Sequence, residues 1–172
     1  MSLMVNSRYE AEVRRYPLAV MVLVPLIALA LQAYLPLRIP QCALVDLPLL
    51  VAVYFSLSRQ NRVFGTLLGA LIGMAQDALT HFPIGINGVA KTVICYLAGS
   101  IGIRIDVENP LTRVVLCFFL SLLSSVLYIF VARQVLALTL SWAWYIELFK
   151  AFLNAIVGFV LFAMLDRTQI LD

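Results

Sequence analysis

The chain has 172 residues, of which 63% are hydrophobic and 12% charged, with a mean hydropathy of +1.02 and a formal net charge of +3. A soluble domain holds roughly 45 to 50% apolar residues, so too little polar surface is present to enclose a water-soluble core, and the composition points to an all-α integral membrane protein. No basic run is long enough for nucleic-acid binding, and Cys42, Cys95 and Cys117, odd in number and without CxxC spacing, indicate neither a disulfide framework nor a zinc site.

Residues 1–16 are polar and of mixed charge and read as a soluble tail. The apolar run from Pro17 to Leu35 is longer than the core of a secretion signal and lacks a small-x-small cleavage site after it, so it is expected to be retained as a span. Pro25 inside it is a candidate kink. Pro36 to Asp46 breaks the apolar pattern and is expected to be a connector. Asp46 before Pro48 resembles a helix start, the carboxylate as N-cap and the proline in the first turn. The second helix, over about 43–58, is short for a span, so tilt or burial in protein is expected.

Arg59, Gln60, Asn61 and Arg62 form a polar turn. A third helix over about 63–80 carries Gly65, Gly69 and Gly73 at every fourth position, with Asp77 continuing the stripe. The sequence HFPIG ends it, Pro83 and Gly85 being the turn residues. The fourth helix, about 86–103, holds Lys91 and a small-residue face of Gly88, Cys95, Gly99 and Gly102. Asn109-Pro110 then reads as an N-cap with proline at the first helical position of a fifth helix, about 111–132. Trp142, Trp144 and Tyr145 look like an interfacial aromatic belt. A sixth helix covers about 145–165, with Glu147 and Lys150 one turn apart near its start. Whether 135–145 is an interfacial helix or part of a longer span is left open by the pattern. The expected transmembrane domain is thus 17–166, six helices, with a C-terminal tail over 167–172.

Sidedness follows from basic residues. With the N-terminus inside, inner segments hold eight (Arg8, Arg14, Arg15, Arg59, Arg62, Arg104, Arg113, Arg167) and outer loops two (Arg38, Arg133). The positive-inside rule then favours both termini in the cytoplasm and the HFPIG turn outside.

Asp77 and Lys91 each stand seven residues from Ile84. In an antiparallel hairpin they lie at similar depth, roughly 8 to 10 Å inside their helix ends, where an unpaired charge is costly. A contact between them is expected, as a pin for the hairpin rather than a proton relay, with Gln76 and Asn87 able to extend it. The glycine stripe permits close helix approach, either to the fourth helix or to a partner's helix. His81 is the sole histidine and stands at a membrane edge, a polar interfacial residue rather than a metal ligand. No P-loop, GxSxG, HExxH or nucleophile-base pairing occurs, which disfavours an enzyme.

The order Asp46-Leu47-Pro48, a short helix, a polar turn, GTLLGALIGMAQDALTHFPIGING and a helix with Tyr96-Leu97-Ala98-Gly99 resembles the rod shape-determining family MreD. The motif likeness covers about Asp46 to Arg104, at Gly69, Gly73, Asp77, Pro83, Gly85 and Tyr96; Lys91 lies outside it. The resemblance implies a non-catalytic scaffold of the bacterial inner membrane, part of the elongation (rod) complex. There it would work with the single-span MreC and the actin-like MreB in side-wall peptidoglycan synthesis and cell-shape maintenance. Structural or partner-packing roles then fall to Gly65, Gly69, Gly73, Asp77, Pro83, Gly85, Lys91, Tyr96 and Gly99, with no cofactor and no metal. The family is also similar to the compact six-helix S-components of energy-coupling-factor vitamin transporters. That likeness implies an alternative, a substrate-binding transporter subunit with an outer pocket drawing on His81, Asn87, Trp142, Trp144, Glu147 and Lys150.

Overall fold

Residues 16–80, 83, 85–105, 109–134 and 143–168 are described by a computed structural model. Among the described residues are six α-helices and no strand: α1 Leu18–Arg38, α2 Leu47–Arg59, α3 Arg62–Thr80, α4 Ile86–Gly102, α5 Pro110–Gln134 and α6 Trp144–Asp166, with a 3-10 turn Pro40–Leu44 leading into α2. α1, α3, α5, α6 and the combined stretch Pro40–Arg59 are long and apolar enough to cross a membrane, and α4 is apolar with 17 residues. The chain is a multi-pass helical membrane protein.

α2 is the helix around which the others pack. Every residue from Pro48 to Ser58 is buried, and α2 touches each of the other five helices. Its sequence has no polar face to turn outward, and a helix apolar all round belongs in a core. The Ser56 hydroxyl, in the middle of the helix, is folded back onto the Ala52 carbonyl at 2.7 Å. At 13 residues α2 reaches only about 20 Å. Its place is set by burial in protein, not by matching lipid.

α1 lies outside this centre, burying only Pro25, Ala28 and Leu29 and presenting Leu18, Val22, Leu26 and Tyr34 outward. It also runs through Pro36 to Arg38, where the sequence pattern placed a connector, and the Ile39 amide still closes on the Leu35 carbonyl at 2.8 Å. A proline in the last turn forfeits one ladder bond, and hydrocarbon offers no water to replace the others.

The expected tail also ends one residue earlier than composition suggests. Tyr16 is 5% exposed and joins an aromatic group with Tyr54, Phe55 and Phe162, at ring-centroid separations of 4.9 to 5.8 Å. Residues 1–15 and 169–172 lie outside the described residues. At the other connections the local signals operate as read. Gln60 takes a left-handed φ of 50° after α2, Asn61 Oδ1 accepts from the Phe64 amide at 3.1 Å, and Asn109 Oδ1 accepts from the Leu111 amide at 2.9 Å.

Candidate functional site

α3 and α4 form a hairpin whose closeness depends on three glycines. Gly65, Gly69 and Gly73 are buried on one face of α3, and a Cβ at each would collide with the carbonyl oxygen of Cys95, Lys91 and Asn87 respectively. The stripe is spent against α4, which leaves it no face for a partner's helix. Gly99 packs on the Asn61 carbonyl and Arg62 at the α2-α3 turn, and Gly102 on the Leu57 carbonyl. Gly85 supplies the turn itself, with φ +115° at the N-cap of α4, a conformation that only glycine adopts without strain.

Asp77, wholly buried, closes the N-terminus of α4. Its carboxylate accepts from the backbone amides of Gly85 at 2.8 Å, Asn87 at 3.1 Å and Gly88 at 3.3 Å, and from Asn87 Nδ2 at 2.8 Å. The amides of a first helical turn have no partners within the helix, and the helix dipole favours an anion there. Asp77 satisfies both, across the hairpin. Asn87 extends this group as the pattern suggested; Gln76 does not.

The expected Asp77 to Lys91 contact does not form. The Lys91 ammonium, on a wholly buried side chain, pairs instead with Asp46 Oδ2, while Asp46 Oδ1 accepts from the Leu49 amide at 3.0 Å and caps α2. The free amides at the α4 start take Asp77's oxygens, and Lys91, one turn further along, faces α2. Other helices add to this junction. The Asp46 amide donates to Asn154 Oδ1 on α6 at 3.0 Å, and Asn154 Nδ2 donates to Ser121 Oγ on α5 at 2.6 Å. Gln32 Oε1 on α1 accepts from the Leu47 amide at 3.1 Å.

Beside this junction opens a cavity of about 540 Å³. Its wall includes Gln32 from α1, Asp46, Gln76, Asn87, a run of α5 hydroxyls, and Lys150 with Asn154 from α6. Two of the expected outer-pocket residues, Asn87 and Lys150, are therefore on it. Glu147 acts through Lys150, to which it is paired at 2.9 Å. Trp144 is 68% exposed and lies away from the lining. His81 and Trp142 lie outside the described residues.

A second polar group sits at the opposite end. The Tyr54 hydroxyl donates to Asp166 Oδ1 at 2.8 Å and lies 2.8 Å from the Tyr16 hydroxyl, and Arg113 pairs with Asp166 Oδ2. Sequence reasoning gave no role to Gln32, Tyr54, Ser121 or Asn154. The available signal was polarity within an apolar run, which α5 and α6 both show.

Among the described residues no group of three or more His, Cys, Asp or Glu side chains could hold a metal ion. The three cysteines are free thiols. What the geometry provides is cross-linking of six helices by buried polar contacts. Residues 13–168 match the family model described as rod shape-determining protein MreD, nearly the whole chain, and the chain belongs to that family. No curated protein and no solved structure matches it.

Proposed function

We propose that this chain, whose family has a role in rod shape determination and is not a known enzyme family, is a non-catalytic scaffold of the bacterial inner membrane that binds the membrane helix of MreC. Through that contact, and with MreB beneath the membrane, it supports side-wall peptidoglycan synthesis. Both termini are assigned to the cytoplasm, on the strength of eight inner against two outer arginines. The family match favours this reading over a transporter subunit.

The observation that carries the partner reading is Tyr96. It stands six residues from the inner end of α4, about 9 Å along the axis, and is 45% exposed on a face shared with Val89 and Val93. Its hydroxyl has no hydrogen-bond partner among the described residues. A hydroxyl facing lipid at that depth is unfavourable, and a neighbouring helix that offers a carbonyl or polar side chain relieves it. With the glycine stripe consumed internally, the Val89-Val93-Tyr96 face is where a single-span helix fits.

The experiment is disulfide cross-linking in native membranes, from a cysteine at 89, 93 or 96 in a chain without its native cysteines, to cysteines along the MreC helix. Cross-links at these three positions, and weaker MreC recovery with Tyr96→Ala, are expected. Undiminished recovery with no cross-link from this face would move the contact elsewhere.

A further inference from the structure

We propose that the outer cavity is a binding site for a neutral, hydroxyl-rich small molecule of the polyol or sugar class, held between α3 and α5. Three observations lead there. On α5, Ser121, Ser124, Ser125 and Tyr128 recur at i, i+3, i+4 and i+7, one helical face, and all four line the cavity. Hydroxyls grouped on one side of an otherwise apolar membrane helix mark a face that meets something polar, not lipid.

Opposite them, Gln76 is 8% exposed, lines the cavity, and its Oε1 has no hydrogen-bond partner. Buried polar atoms are ordinarily satisfied, and this oxygen, buried within a side chain of the cavity wall, lacks a donor. The two charged side chains of the wall are already paired within the protein, Asp46 with Lys91 and Lys150 with Glu147, and Asp77 behind it is held by the α4 amides. An ionic ligand would have no unpaired counter-charge there, so the complementary molecule is uncharged and brings its own O–H or N–H donors. The volume, about 540 Å³, lies within the range of roughly 300 to 1,000 Å³ typical of small-molecule sites.

The same chemistry occurs on free sugars and on neutral glycolipid headgroups, and the test separates them. The full chain is unfolded thermally in a zwitterionic detergent without a sugar headgroup. The probes are myo-inositol, glucose and N-acetylglucosamine, with glucuronate and glucosamine as charged counterparts. A second arm uses nanodiscs with and without glucosyl diacylglycerol. A saturable rise in Tm with a neutral probe is expected, weakened tenfold or more in Gln76→Leu, which should itself unfold no earlier than the parent because it removes the orphan carbonyl. Response to the free sugars assigns the solute, and response to the glycolipid alone assigns the headgroup. Should Gln76→Leu fail to fold, Ser125→Leu, which narrows the cavity, decides on the same criterion. Response to charged probes only, a shift untouched by the variant, or the linear non-saturating rise that any excluded osmolyte produces would each overturn the proposal, as would no response at all.

Discussion

Lys91, in the second turn of α4, ends on Asp46, the capping residue of α2, so that one carboxylate both starts the central helix and neutralises a wholly buried ammonium. Removing one member of a buried pair leaves an uncompensated charge and costs about 3 to 5 kcal/mol. Asp46 is a quarter exposed, which puts the expected loss toward the lower figure. Lys91→Met should therefore destabilise strongly in a thermal or denaturant melt. Lys91→Met combined with Asp46→Asn, which keeps a cap oxygen, should recover most of the loss. A double variant no better than the single would refute the pairing.

Asp77 serves the amides of α4 and not Lys91, and this separates two outcomes. Exchanging the charges, Asp77→Lys with Lys91→Asp, should give no rescue over the single changes. Asp77→Ala should cost more than Asp77→Asn, since asparagine retains one acceptor, with a loss of about 1 to 3 kcal/mol for the unsatisfied amides. Hydrogen exchange at residues 85–88 should quicken in both. Unchanged protection there would show that the carboxylate is not holding the turn.

The hairpin glycines differ in what a methyl group would meet. At Gly73 it meets the Asn87 backbone, which cannot withdraw, whereas at Gly88 the nearest atom is the flexible Met74 side chain at 3.1 Å. Gly73→Ala is expected to cost about 1 to 3 kcal/mol or prevent folding. Gly88→Ala should be nearly silent. Equal melting temperatures for the two would contradict the packing described.

At the end of the bundle opposite the cavity, Tyr54→Phe deletes the hydroxyl that donates to Asp166 at 2.8 Å and meets Tyr16. Hydrogen bonds to charged groups are worth about 1.5 to 3 kcal/mol, and a loss of that order is expected on unfolding. Tyr16→Phe leaves the Tyr54 to Asp166 bond intact and should cost less. The reverse order would show that the carboxylate is satisfied by other groups.

Sidedness can be read from the native thiols. Cys42 is partly exposed in the turn between α1 and α2, while Cys95 and Cys117 are buried. A membrane-impermeant maleimide added to intact spheroplasts should label Cys42 alone. Labelling only after permeabilisation would invert the assigned topology.

The outline of this fold was legible because hydrocarbon imposes a simple rule on sequence. Apolar runs of sufficient length must be helices, and caps and turns announce themselves through Asp46, Asn109-Pro110 and Gly85. The family likeness rested on the same hairpin. Even α2's burial was foreshadowed by its shortness. Pro36 misled because proline's cost in a last turn is smaller in a membrane than its usual effect as a helix breaker suggests.

What sequence alone determined, then, was which residues had to find polar partners: Asp77 and Lys91 are too costly to leave bare in an apolar segment. Which partners they found was decided by the tertiary structure. Equal depth in a hairpin does not set the rotation of each helix about its axis, and the free amides of α4 compete for Asp77 on terms no spacing reveals. Asp46 lies 45 residues from Lys91 in the chain, and only the packing of α2 at the centre brings them together. The glycine stripe shows the same division. Its spacing announced close approach, and the path of α4 settled that the approach is internal.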